Sequence, residues 1–331
     1  MRIVAGLSCI DDYERLVRAG ADEVFIGYVP YEYTKKYGNL FPINRRKVFY
    51  INTQIKSFSD MKILRKMVDK YKVPVSITFN NIYYLEEQYQ CIAKIIKELT
   101  NIGFGRFIIA DIGLILYLKE LNINCSIHLS GECSEINRLS MDFFNKINIK
   151  RYIFNRKVTI EEMKSCISYN VGNKNLEYEA FILNERCHYT GAFCTSFNCD
   201  EMIHLCEMPY KIGKIDELAF DFPFVDEKLE KYYQTNLYMH KERVKQCVGE
   251  EYKLGSTGCG LCALKKLQLA GVTHLKIIGR GEVIDNIEKD VLSLKKALKL
   301  LNKVNDSDKY ESLIKENFFR SGCSKNCYYN K

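Results

Sequence analysis

Eight of the fourteen cysteines in this 331-residue chain fall into groups whose spacing could hold a metal. Cys187, Cys194, Cys199 and Cys206 lie within twenty residues, Cys259 and Cys262 form a C-x-x-C, and Cys323 and Cys327 form a C-x3-C. Thiolates are soft ligands, and four of them satisfy a zinc ion or an iron–sulfur cluster. Steps of 7, 5 and 7 residues suit a loop wrapping a cluster, but spacing alone leaves iron–sulfur and zinc both open. A disulfide framework is disfavoured: MRIVAGLSCIDDYERL lacks the layout of a signal peptide, and a reducing, cytoplasmic setting is the expectation. Cys9, Cys91, Cys125 and Cys166 stand singly in apolar or periodic segments and read as small buried hydrophobes. Cys133 and Cys247 fit neither group.

Other chemistry is sparse. The five histidines are isolated, and no H-E-x-x-H pair is present. His128 and Ser130 share a strand face at i,i+2, without the third member a nucleophilic triad needs. His188 and His204 lie inside the cysteine loop. Net charge is +8, from scattered groups such as Lys35, Lys36, Arg45, Arg46 and Lys47, and Lys146, Lys150 and Arg151. These read as a solvated surface, and the balance permits an anionic small molecule or RNA without requiring either. No apolar run approaches a membrane span, and 47% hydrophobic residues supply a large core.

The elements that must position these groups alternate. Strands are expected at 2–7, 23–28, 73–79, 106–110, 124–129, 151–155, 178–183 and 273–279, separated mostly by amphipathic helices, with 29–58 a long loop. Further helices are expected near 226–247, 261–270 and 283–303. Eight βα units without a central break predict a closed (β/α)8 TIM-barrel-like fold with a cysteine-rich insertion after strand seven. The absence of G-x-G-x-x-G after the first strand argues against a dinucleotide fold. Residues 1–303 form the barrel domain, with cysteine loops at 184–212 and 255–265, and 304–331 form a tail.

In such a barrel the chemistry sits where strands end. That rule selects Asn80, Asp111, His128, Ser130 and Arg156, the cysteine loop, and Gly279-Arg280-Gly281, where a guanidinium and close backbone approach suit an anion.

RAGADEVFIGY, GFGRFIIADIGLILYLKEL, HLS at 128–130, RYIFNRKVTIEEM, ERCHYTGAFC and LCALKKLQLAGVTHLKIIGRG occur in an order that resembles peptidase family U32, the collagenase-like peptidases. The resemblance covers residues 1–303, and the Cys323/Cys327 tail falls outside it. It implies a TIM-barrel core and a [4Fe–4S] cluster on four cysteines. It also implies oxygen-independent hydroxylation of a quinone-precursor ring or an RNA base, including tRNA, with prephenate as a co-substrate. A related U32 subunit as heterodimer partner, or a homo-oligomer, is implied as well. Matched to this chain, the metal ligands are Cys187, Cys194, Cys206 and Cys262, with Cys259 and Cys199 as competitors for the last two places. Departures are Lys157 after Arg156, Ile278 for an acid, and Leu183-Asn184 for a His-Gly pair. The expected roles are His128 and Asp111 for proton movement, and Asn80, Ser130, Arg156, Lys276 and Arg280 for substrate. The competing expectations are a U32-type peptidase and a non-catalytic, cluster-bearing partner subunit.

Overall fold

Apolar runs such as EVFIGY and VSITF offer no polar face to water, so both faces must be covered. In the computed structural model, which describes residues 1–38, 41–47, 53–170, 172, 175–187, 192–194, 198–199, 252–319 and 322–329, they are covered by closing into a barrel. The strands are β1 (Arg2–Leu7), β2 (Glu23–Tyr28), β3 (Val75–Phe79), β4 (Arg106–Ile109), β5 (Ser126–Leu129), β6 (Ile149–Ile153), β7 (Glu177–Leu183) and β8 (His274–Ile277). All pair in parallel, each with its neighbour in sequence, and β1 pairs with both β2 and β8, which closes the ring. Among the described residues this is the expected eight-stranded (β/α)8 barrel.

Helices cover the outside: α1 (Tyr13–Ala19), α2 (Tyr31–Tyr37), α3 (Phe58–Tyr71), α4 (Glu86–Asn101), α5 (Ile112–Glu120), α6 (Arg138–Asn145), α7 (Ile160–Tyr169), α8 (Leu264–Ala270), α9 (Ile284–Leu301) and α10 (Ser307–Phe318). Their starts follow capping chemistry. Asn137 with Ser140, and Thr159 with Glu162, form reciprocal capping boxes at α6 and α7. Helix α2 falls in the stretch expected to be loop; its short, charged sequence YEYTKKY gave no long period, yet Tyr33 and Tyr37 bury against the barrel. Strand β6 ends two residues earlier than expected because Asn155 Oδ1 accepts from the N–H groups of Lys157 and Val158 at 2.9 and 3.2 Å, an Asx turn that stops the strand. The helix expected near 226–247, most of the cysteine insertion, and Cys206, His188, His204 and Cys247 lie outside the described residues. Of the single cysteines, Cys166 is buried and Cys91 and Cys125 are half-buried, but Cys9 is exposed in the loop after β1. Among the described residues no helix is long and apolar enough to cross a membrane.

The barrel interior divides into two halves. Near the strand starts it is charged. Arg151, wholly buried, reaches Glu23 at 2.7 Å, Glu177 at 2.8 Å and Glu179 at 2.8 Å. Lys276 holds Glu179 at 2.6 Å and Arg106 holds Glu23 at 2.9 Å. Burial alone would raise both buried carboxyls; Arg151 with Ser76 and Arg106 at Glu23, and Lys276 with Arg151 at Glu179, outweigh it and hold both below the usual range. Arg151, expected on the surface, thus lies at the barrel's centre. Towards the strand ends the interior turns apolar, with Val4, Phe25, Ile108, Ile153, Phe181 and Ile278 packed with Tyr328 from the tail.

Candidate functional site

Strand ends place side chains around one opening, and here they frame a cleft of about 80 Å³ that opens to solvent. Asn80 follows β3, Ser130 and Glu132 follow β5, Arg156 follows β6, Glu185 follows β7 and Arg280 follows β8. Arg45, Thr78, Lys276 and the rings of Phe25 and Phe181 complete the parts that matter here. Four cations and two carboxylates line the cleft, and Glu179 offsets Lys276 from below.

Each cation is held. Arg280 is buried; its Nη1 donates to Thr78 Oγ1 at 3.0 Å, and its guanidinium lies 5.7 Å from the Phe25 ring centre. Its slot exists because residue 27 is glycine, since a Cβ there would come within 2.5 Å of Arg280 Nη1. Gly279, at φ +145°, turns the chain out of β8, and a Cβ there would meet Ile287 at 2.1 Å. Lys276 Nζ stands 4.1 Å from the Phe25 ring centre. Burial lowers its pKa from the usual 10.5, although Glu179 works the other way. Glu132 sits between Arg45 and Arg156, 3.3 Å from each, and Arg156 also faces Glu185 at 3.8 Å and the Phe181 ring at 4.9 Å. Among the described residues, the buried Nε of Arg156 has no hydrogen-bond partner.

All five residues expected to bind substrate, Asn80, Ser130, Arg156, Lys276 and Arg280, therefore line one cleft. His128 and Asp111 are not part of its lining. His128 is buried a layer below, with Nδ1 3.5 Å from Ser76 Oγ; burial, with Arg151 nearby, holds its pKa well below 6.5, so the ring is neutral. Asp111 caps α5: Oδ1 accepts from Leu114 N at 2.9 Å, Oδ2 accepts from Tyr84 N at 2.7 Å, and Tyr89 adds its hydroxyl. Asp111→Ala is therefore expected to cost about 1–2 kcal/mol of stability in urea unfolding, with Asp111→Asn retaining most of it. A neutral Asp111→Ala would contradict the capping role.

The cysteines separate into two places. Cys194 gives its carbonyl to the Arg45 guanidinium, and the preceding Phe193 N–H donates to Glu132 O at 3.2 Å. Cys187 lies within electrostatic reach of Arg156 and Tyr328. Neither cysteine of the C-x6-C lines the cleft, but the Cys194 backbone meets Arg45 of its lining, and thiols are the donor type an iron–sulfur group takes. Cys262 lines a second pocket together with Cys259, Cys323 and Cys327. Among the described residues, no three His, Cys, Asp or Glu side chains already surround one point as metal ligands would.

The sequence reading missed Arg45, Glu132, Glu185 and both rings. Arg45 reads as one of a surface group of basic residues, and nothing in the spacing marks it as turning inward. Glu132, two residues past Ser130, was within reach of the strand-end rule.

The sequence profile of peptidase family U32 matches residues 9–331, including the tail. No curated protein sequence matches. Among solved structures, the chain is similar to the U32 peptidase Mk0906, with a TM-score of 0.41 at 9% identity over 55% of this chain and 69% of that one. A native KDPGal structure gives a TM-score of 0.45 at 8% identity, over 92% of this chain and 97% of that one. Thiamine phosphate pyrophosphorylase from Pyrococcus furiosus gives 0.44 at 8%, over 91% and 96%. The fold rests on the strand pairings described above; the profile match shows that the chain belongs to peptidase family U32.

Proposed function

We propose that this U32 protein hydroxylates an anionic, ring-bearing substrate, an RNA base or an aromatic metabolite, at the barrel mouth without oxygen. One observation carries the reading: buried Arg156 keeps an Nε donor without a partner among the described residues, in a cleft that also holds Arg45, Lys276, Arg280 and two aromatic rings. A donor left unsatisfied by the protein is stabilised by an acceptor on a ligand. Prephenate, a ring bearing two carboxylates and a hydroxyl, matches this lining as the co-substrate that gives up its hydroxyl oxygen to the substrate and takes a hydrogen in its place. Arg280 and Arg156 would hold its carboxylates, Phe25 and Phe181 would flank its ring, and Asn80 and Ser130 would meet hydroxyls. Lys276, its pKa lowered by burial, is the group in the lining suited to give or take a proton.

A [4Fe–4S] cluster, when bound, supplies electrons or a Lewis-acidic iron. Cys187, Cys194, Cys206 and Cys262 are the set the family pattern assigns to it. The peptidase reading finds less support, because His128 lies against Ser76 below the cleft and forms no hydrogen bond with Ser130.

The test compares modified nucleosides and quinones by mass spectrometry in anaerobically grown cells with the gene, without it, and complemented by Arg280→Ala. One hydroxylated product missing in both the deletion and the Arg280→Ala strain is expected. Identical profiles in all three, with gelatin cleavage by the purified protein, would overturn the proposal.

A further inference from the structure

Alternation along β8 sends His274, Lys276 and the following Ile278 into the barrel. His274 meets Arg151 in the charged half, Ile278 packs in the apolar half, and Lys276 stands where the two meet. In the parallel register Lys276 lies level with Phe181 on β7 and Val4 on β1, both apolar. Among the described residues of the cleft lining it carries the one amine. The other cations there, Arg45, Arg156 and Arg280, are guanidiniums, which stay charged and do not attack carbon.

From this we infer that Lys276 is a nucleophile, and that the cleft takes a 2-oxo acid by forming an imine with it. Prephenate is itself a 2-oxo acid, so this deepens, and rests on, the reading of the cleft as its site. A lysine becomes nucleophilic when it is desolvated or set beside other cations, because both favour the neutral amine. Burial lowers the Lys276 pKa from 10.5 and Arg151 adds to it, against Glu179 and Glu23. Phe25 gathers two cationic heads, with Lys276 Nζ 4.1 Å and the Arg280 guanidinium 5.7 Å from its ring centre. A 2-oxo acid carries its carboxylate on the carbon next to the carbonyl. A carboxylate held by Arg280 therefore presents that carbonyl toward Lys276. Glu179 Oε1, 2.6 Å from Nζ, is placed to move protons. Glu179 takes a proton from the ammonium, the freed lone pair forms the C–N bond, and the carbonyl π bond breaks to give a carbinolamine. Its hydroxyl leaves as water with the proton that Glu179 returns, and the nitrogen lone pair closes the C=N bond. Two of the three ammonium protons leave in the water and one stays on the iminium. Nothing is oxidised or reduced, and the positive charge remains beside Glu179.

The experiment incubates the anaerobically purified full-length protein with pyruvate, and separately with prephenate. Sodium cyanoborohydride traps the imine, and peptide mass spectrometry locates the adduct. One adduct per chain is expected, on Lys276, with the mass of the 2-oxo acid less one oxygen. In Arg280→Ala, half-labelling is expected to need roughly 10–100-fold more pyruvate. Lys276→Arg, with circular dichroism as the check on folding, is expected to take no label at that position; the mapping in wild type needs no variant. An unlabelled Lys276, label spread evenly over surface lysines, or equal labelling in Arg280→Ala would overturn the imine. An unlabelled Lys276 with a hydroxylated product that disappears in Arg280→Ala cells overturns the imine and leaves hydroxylation standing. A labelled Lys276 with unchanged nucleoside and quinone profiles supports the imine and removes hydroxylation, so the two proposals fail separately.

Discussion

Arg151→Met is expected to cost the barrel about 3–5 kcal/mol in urea unfolding near neutral pH, the largest single effect on stability in this chain. The guanidinium is wholly buried and answers Glu23, Glu177 and Glu179. Methionine fills similar space but leaves the buried Glu23 and Glu179 with less compensation, Arg106 and Lys276 being the cations that remain. The pH dependence gives the sign. In the native protein both carboxyls are held below the usual 4.5, so their contribution is present above pH 4.5 and lost as pH falls through the lowered values. In the variant, burial dominates and their folded values rise above 4.5. Their contribution then declines as pH climbs through and above 4.5, and the gap to wild type widens from acid to neutral pH. A loss under ~1 kcal/mol that is flat with pH would contradict the network.

Arg280→Ala is expected to weaken prephenate binding roughly 10–100-fold by anaerobic calorimetry, the range for a lost charge-assisted pair. Circular dichroism checks the fold of the variant, in which Thr78 Oγ1 keeps its bond to Ile26 O at 3.2 Å. Gly27→Ala should produce a smaller loss by pushing the guanidinium out of its slot. Affinity unchanged in Arg280→Ala would remove Arg280 from the site.

The barrel was legible because its signal is local. Runs such as RIVAGL and EVFIGY, each followed by a helical period, announce βα units without knowledge of their neighbours. Asn80, Ser130, Arg156 and Arg280 were legible for the same reason, since a strand end is a sequence position. Lys276, set within β8, came with the family match to that strand. What stayed hidden depends on distant pairing. Arg151 looked like surface charge because its partners lie 26 to 128 positions away in sequence. The place of the tail cysteines in one pocket with Cys262 depends on backbone pairing between Cys259 and Cys327. Asp111 followed the strand-end rule correctly, yet the same position is also a helix N-cap, and local spacing cannot separate the two roles.

The barrel mouth is proposed to bind an anionic ring at Arg156 and Arg280, with a cluster on the loop that carries Cys187 and Cys194. The most direct test titrates the anaerobically iron- and sulfide-reconstituted, dithionite-reduced protein with prephenate while recording its electron paramagnetic resonance spectrum. A saturable spectral change in wild type that is absent in Arg280→Ala is the result expected. A spectrum unmoved at saturating prephenate, or moved equally in Arg280→Ala, would contradict the account.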